Sequence, residues 1–156
     1  MSMRALWNRL GPDRRGGSAI EFALVVPMLL SLVLGVVEVG RLVVQADAVE
    51  KSLRSAAVFA ARSELPLDAA ALTTIRNLVR TGTPDGTGDI IVPGWGEAGA
   101  DVLVEPRTET VGGEDIDVIR LTAVVPFTPL VPQLLHAIGL EDLTIRTSHD
   151  QTYMGI

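Results

Sequence analysis

The sequence contains no cysteine, and Lys51 is its only lysine. Without cysteine the chain forms no disulfide bridge, no thiolate metal site and no cysteine nucleophile. No HExxH or similar paired-ligand spacing is present. The glycine-rich residues 82–88 match neither GxGxxG nor a phosphate-binding loop followed by lysine. These absences exclude the commonest short motifs of metalloenzymes and nucleotide-binding enzymes.

Few other residues are candidates for chemistry. His136 lies in an apolar segment, which favours packing over catalysis, and His149 has no nucleophile motif around it. Glu114, Asp115 and Asp117 lack the frame of an EF-hand and are interpreted as a solvated acidic turn. We therefore predict no catalytic residue, no metal site and no cofactor, and we interpret the protein as a non-enzyme.

Charge is distributed unevenly along the chain. Residues 1–16 carry a net charge of +3, and the whole chain carries −6, so the remainder carries −9. The run from Phe22 to Val37 has no charged residue and, extended to Gly40, is about long enough for a membrane-spanning helix of roughly 20 residues. A basic flank before such a run predicts a cytoplasmic N-terminus and an extracytoplasmic domain. The acidity of that domain disfavours binding to nucleic acid.

Two features at the start of the apolar run, Glu21 and the Gly16-Gly17 pair, each have two interpretations. A carboxylate beside hydrocarbon costs free energy, so Glu21 is stabilised either by the helix N-terminus or by an α-amine freed by cleavage after Gly16. The Gly16-Gly17 pair is either a protease site gripped in extended form or a membrane-flanking loop. Small residues and one helix-kinking proline predict close helix packing at Ala19, Ala23, Pro27, Ser31 and Gly35.

Beyond the run the pattern predicts a mixed α+β domain. Apolar residues recur at a helical period as far as Arg62, which predicts one helix from about Ser18 to Arg62. Leu65-Pro66 ends this helix, and Asp68 caps a second helix from about Ala69 to Arg80. The remainder predicts three or four antiparallel strands, packed on the helical surface. The first is a short strand at 101–105. After a Gly112-Gly113 turn, a second strand carries four apolar residues on a single face: Ile119, Leu121, Ala123 and Val125. One or two apolar helical turns near Leu134 precede a last strand that begins at Leu143.

The N-terminal residues resemble a known family. The stretch from Arg14 to Pro27 reads RRGGSAIEFALVVP, and Glu38-x-x-Arg41 and an alanine-rich end at residues 56–62 follow it. This combination resembles TadE-like proteins, which are minor pilins or pseudopilins of the tight-adherence (Tad, Flp-type) pilus. The resemblance covers residues 14–62 closely and the β-rich remainder only in outline. It implies a pilin-like fold, with a long transmembrane and amphipathic helix packed against a small antiparallel sheet.

The resemblance also implies roles for individual residues. A membrane-embedded prepilin peptidase would cut between Gly16 and Gly17, although Gly17 departs from the alanine expected at the new terminus. Glu21 would then be the fifth residue of the mature chain and would dock a neighbouring subunit through that subunit's amine, with Phe22 beside it. The implied partners are the peptidase, other Tad pilins or pseudopilins and the inner-membrane assembly platform.

The resulting hypothesis is a structural component of pilus assembly that supports adherence and biofilm formation. It has a cytoplasmic leader at residues 1–16, a single span of the bacterial inner membrane at 17–41, an extramembrane continuation of the helix at 42–63 and a periplasmic domain at 64–156.

Two alternatives stay open. The first is an extracytoplasmic binding domain, either membrane-anchored or released by signal peptidase near Val44-Gln45-Ala46 or Ala46-Asp47-Ala48. The second is an enzyme tethered by an uncleaved anchor.

Overall fold

One long helix, α1, runs from Arg14 to Ala60. The computed structural model describes the backbone of residues 14–155 and the side chains of residues 17–155, so most of the predicted leader lies outside it. The prediction of a single helix from about Ser18 to Arg62 is confirmed to within a turn at each end. Pro27 lies inside α1 without ending it, because a proline removes only one helical hydrogen bond. The Ser31 hydroxyl donates to the Pro27 carbonyl oxygen at 2.9 Å.

Contacts within the chain divide it after Val37. In the first unit the structure describes only the helix of residues 14–37, and its side chains are almost entirely exposed. The most apolar window of 18 residues has a mean hydropathy of 2.5, and none of that window is buried. By length and composition, this half of α1 could cross a membrane. Such an exposed apolar surface is unfavourable in water.

In the second unit the remainder of α1 is amphipathic. Its buried residues recur every three or four positions, so that one stripe of the helix faces the core; they are Val49, Leu53, Ala56, Ala57 and Ala60. A second helix, α2, covers Ala69–Thr81. The Asp68 carboxylate accepts a hydrogen bond from the Ala71 amide at 2.7 Å, which confirms the predicted N-cap. Gly82, with φ +74°, ends α2 in the left-handed conformation.

A three-stranded antiparallel sheet forms the other half of the core. Its strands are β1 (Asp101–Val111), β2 (Glu114–Pro126) and β3 (Thr144–Thr152), with β2 in the centre. A short helix, α3 (Pro132–Ala137), lies between β2 and β3 in the chain. The predicted buried face of β2 is confirmed, since the side chains of Ile119, Leu121, Ala123 and Val125 are fully buried. The fold class is therefore α+β, as predicted.

The first strand is longer than its sequence indicates. We predicted a short strand at 101–105, but β1 continues to Val111 and pairs with β2 along its whole length. The second half of β1 is exposed on both faces. It therefore needs no alternation of apolar and polar residues, which is the signal that predicts a strand. The Gly112-Gly113 turn, with φ of +64° and +91°, joins the two strands as predicted and sets their register.

A tryptophan that the sequence analysis did not assign closes the core. Trp95 lies in a single 3-10 turn, Pro93–Gly96, and is 1% exposed. The guanidinium of Arg80 donates to the Trp95 carbonyl oxygen at 2.9 Å and lies 6.0 Å from the ring centroid. Beside it, a Cβ added at Gly94 would lie 2.0 Å from the Pro126 carbonyl oxygen. Only glycine lets the turn approach β2 this closely.

Replacing Gly94 should therefore destabilise the domain. We expect Gly94→Ala to lower the free energy of unfolding by about 1–3 kcal/mol, because the new methyl group must displace backbone rather than a flexible side chain. Denaturant unfolding of the full chain in detergent micelles, followed by tryptophan fluorescence, measures this loss. Gly96→Ala is the matched control, since a Cβ there meets nothing within 4 Å. Equal stabilities of the two variants would contradict the prediction.

Candidate functional site

The predicted processing site lies in the first turns of α1. Sequence reasoning expected Gly16-Gly17 to be extended or in a loop, whereas both residues are helical in the structure. The peptide groups that begin a helix lack part of their intrahelical hydrogen bonds, and glycine is among the weakest helix formers. The two glycines therefore lie where α1 is easiest to unwind. A Cβ added at Gly17 meets nothing within 4 Å, so no packing requires glycine there.

The predicted docking residues lie one turn further along α1. Glu21 and Phe22 are both exposed, and Phe22 is 72% exposed. Glu21 follows Gly17 by four positions, which are neighbouring positions on the surface of a helix. A free amine at Gly17 would therefore lie near Glu21 without a rearrangement of the helix, and the docking role of Glu21 and Phe22 stays a prediction.

The five predicted packing residues fall on one row of α1. They are spaced four residues apart, and helix surfaces form continuous ridges along such rows; the row is Ala19, Ala23, Pro27, Ser31 and Gly35. A Cβ added at Gly35 would enter open space. Within the described part of the chain, this row is not filled by another element, and its role in helix packing stays a prediction.

Glu38 and Arg41, three positions apart on α1, belong to a larger polar arrangement. Glu38 Oε2 lies 3.8 Å from Arg41 Nε, so the two residues form an ion pair across one turn of the helix. Glu38 is only 5% exposed, and its Oε1 accepts a hydrogen bond from the Val131 amide at 2.7 Å. The Arg41 guanidinium donates to the Thr128 carbonyl oxygen at 3.4 Å. These contacts fasten α1 to the loop after β2, which spacing along α1 alone does not reveal.

A further buried amide extends this arrangement. Gln45, one turn after Arg41, is 8% exposed. Among the described residues, neither Gln45 Oε1 nor the Thr128 hydroxyl has a hydrogen-bond partner. We refer to Glu38, Arg41, Gln45, Thr128 and the Val131 amide as the polar clamp. Buried polar groups are costly when unpaired, so the clamp depends on the two bonds to the loop.

The outer face of the sheet carries a shallow cavity of about 310 Å³. Its charges are mostly paired within the sheet: Arg120 Nε donates to Asp150 at 2.6 Å, and Arg107 donates to Glu105 at 2.7 Å. The hydrogen bond from Arg120 lowers the pKa of Asp150 below its usual value. This arrangement neutralises carboxylates and does not present a base beside a nucleophile.

The histidines and acidic groups add no reactive centre to the described residues. The packing interpretation of His136 was wrong, because its side chain is exposed and lies 3.6 Å from Glu141 Oε1. Between Gly17 and Gly155, no group of three or more His, Asp or Glu side chains is arranged to hold a metal ion.

Residues 16–58 match the family model described as TadE-like protein. The chain therefore carries a TadE-like segment. The match covers less than a third of the chain and ends two residues before the end of α1. No curated protein and no solved structure matches the chain.

The TadE-like match confirms the resemblance on which the sequence analysis relied, and it supports a protein associated with the Tad pilus. It includes Gly16, Gly17, Glu21 and Phe22 as well as the helical half of the polar clamp. The sheet and the loop that closes the clamp lie outside the match.

The clamp can be tested by separating its charge from its hydrogen bond. We expect Glu38→Ala to lower the free energy of unfolding by about 1–3 kcal/mol, because it leaves the part-buried Val131 amide without its acceptor and removes the buried carboxylate beside Arg41. Glu38→Gln keeps an acceptor oxygen and should lose less. Denaturant unfolding in micelles and hydrogen exchange at the Val131 amide measure both effects. If the Val131 amide exchanges no faster in either variant than in the unaltered protein, the hydrogen bond does not hold the loop.

Proposed function

We propose that this protein is a TadE-like minor pilin or pseudopilin, a structural component of Tad pilus assembly that supports adherence and biofilm formation. The observation that carries the proposal is the coincidence of the family match at 16–58 with an exposed apolar helix. A component of a fibre or of its assembly platform needs such a surface, because helix packing in the membrane relies on close contact between exposed faces.

The proposed topology follows the charge pattern. The leader, residues 1–16, is cytoplasmic because its net charge is positive, and residues 17–41 cross the inner membrane. Residues 42–63 continue the helix outside the membrane, and residues 64–156 form the periplasmic domain. Support for this division comes from the change in α1, which is exposed and apolar before Glu38 and lines the core from Val49 onward.

Processing by a prepilin peptidase would prepare Glu21 for docking. Cleavage between Gly16 and Gly17 frees an α-amine, whose ordinary pKa of about 7.7–8.0 makes it mostly cationic at neutral pH. A carboxylate near hydrocarbon is costly, so pairing with this amine, on the same chain or on a neighbour, offsets the cost of both charges. Phe22 and the row from Ala19 to Gly35 would provide the apolar contacts of the same interface.

The signal-peptidase alternative receives less support. Residues 44–48, where that enzyme would cut, lie inside the uninterrupted helix α1. Gln45 is buried there, and Ala46 and Ala48 pack against the core. Cleavage in this segment would cut through structure that the domain itself uses.

Peptidase processing is tested by the mass of the mature protein. In cells that contain the matching peptidase, we expect the membrane fraction to hold a chain that begins at Gly17. Mass spectrometry of the intact protein and of its N-terminal peptide measures this. Cells with an inactive peptidase are the control and should hold the chain from Met1. A start near Asp47 would favour signal peptidase, and a start at Met1 beside an active peptidase would contradict processing.

Docking is tested separately through Glu21. We expect Glu21→Ala to leave cleavage intact and to reduce pilus production several-fold, because the neighbour's amine loses its carboxylate. Glu21→Asp keeps the charge and should restore part of the assembly. Mass spectrometry of the mature chain and a count of surface pili provide the two readouts. Normal pili in Glu21→Ala would show that Glu21 has no docking role.

A further inference from the structure

Around Glu38 to Gln45 the polarity of α1 is opposite to that of a helix at a water-exposed surface. The polar Glu38 and Gln45 are 5% and 8% exposed, whereas Val39, Val43 and Val44 are 62%, 62% and 69% exposed. A helix in contact with water directs its apolar side chains inward and its polar ones outward. In apolar surroundings the opposite arrangement is favoured, because charged and amide groups are costly in contact with hydrocarbon. The loop after β2 satisfies Glu38 Oε1, whereas Gln45 Oε1 has no hydrogen-bond partner among the described residues.

The loop that encloses these polar groups carries no formal charge, and it exposes several apolar side chains beside the polar Gln133 and His136. Residues 121–140 contain no Asp, Glu, Lys or Arg. Within them, the segment of residues 130–140, here named the α3 segment, exposes Leu130 by 58%, Ile138 by 62% and Leu140 by 45%. Two acidic residues, Glu141 and Asp142, follow immediately.

The polar clamp fixes the start of this segment at a defined point of the chain. The Val131 amide donates to Glu38 at 2.7 Å, and Glu38 is the residue that follows the uncharged run ending at Val37. The exposed apolar side chains of the α3 segment are therefore attached next to Glu38, within one turn of residue 41, where the proposed membrane span ends. With six residues, α3 is only about 9 Å long, so the whole segment stays near this point.

We infer that the α3 segment lies in the outer interface of the membrane, with its exposed leucine and isoleucine side chains and the α1 valines in contact with lipid. Its partner is a lipid surface. This inference rests on the proposed membrane span of α1. Interfacial elements bury apolar side chains some 5–10 Å into the boundary of headgroups and acyl chains. Glu141 and Asp142 would mark the return to water.

The absence of cysteine makes a direct test possible, because a single introduced cysteine is labelled uniquely. Leu130→Cys and Ile138→Cys place a nitroxide spin label on the α3 segment of the full chain, reconstituted in phospholipid vesicles. Val111→Cys, at the tip of the β1–β2 hairpin, is the matched control, since Val111 is 59% exposed. Leu30→Cys, at a position 57% exposed within the apolar run, reports on the span itself.

The measurement is the accessibility of each label to oxygen, which concentrates in lipid, and to a water-soluble nickel chelate. We expect the oxygen-to-nickel ratio at Leu130 and Ile138 to exceed that at Val111 several-fold and to approach that at Leu30. Circular dichroism of each labelled protein verifies that the fold is retained.

Ratios at Leu130 and Ile138 equal to that at Val111, with Leu30 in lipid, would overturn the inference and leave the proposed span intact. Labels shielded from both reagents would show that a protein surface covers the segment, which also overturns it. An aqueous label at Leu30 would refute the span and the inference together.

Discussion

The hydrogen bond between the Glu38 carboxylate and the Val131 amide lies where α1 changes from an exposed apolar helix to a helix that lines a core. One helix has to present an apolar surface along its first half and the stripe of a soluble core along its second. At the change between them lie a carboxylate, a guanidinium and an amide, all costly to bury. The loop after β2 satisfies part of their hydrogen bonding, and the position of that loop follows from β2 at the centre of the sheet.

The core beyond the clamp combines small side chains from α1 with larger ones from the sheet. Where α1 meets the sheet, its stripe is mostly alanine, with Leu53 as the one large aliphatic side chain at its centre. Small side chains on this stripe leave space that larger ones from β2 and Trp95 fill. Gly94 allows the 3-10 turn to approach β2 closely, since its missing Cβ admits the Pro126 carbonyl oxygen.

Much of the fold could be predicted from local signals. Neighbouring residues encode the 3.6-residue period of α1, the Asp68 cap of α2 and the alternation of β2. These elements could therefore be predicted without knowledge of distant contacts. The second half of β1 was missed because a hairpin exposed on both faces needs no apolar pattern. The roles of Trp95 and of Glu38 were missed because their partners lie far away in sequence, at distances that no periodicity spans.

The candidate site divides in the same way. Gly16, Gly17, Glu21 and Phe22 form a linear motif, so sequence alone singled them out, and the TadE-like match at 16–58 covers all of them. That match ends before the sheet begins, so it assigns nothing to the domain after α1. Two hydrogen bonds from the loop after β2 reach back to Glu38 and Arg41, so the part of the chain outside the family match contacts the part inside it through these residues as well as through the core.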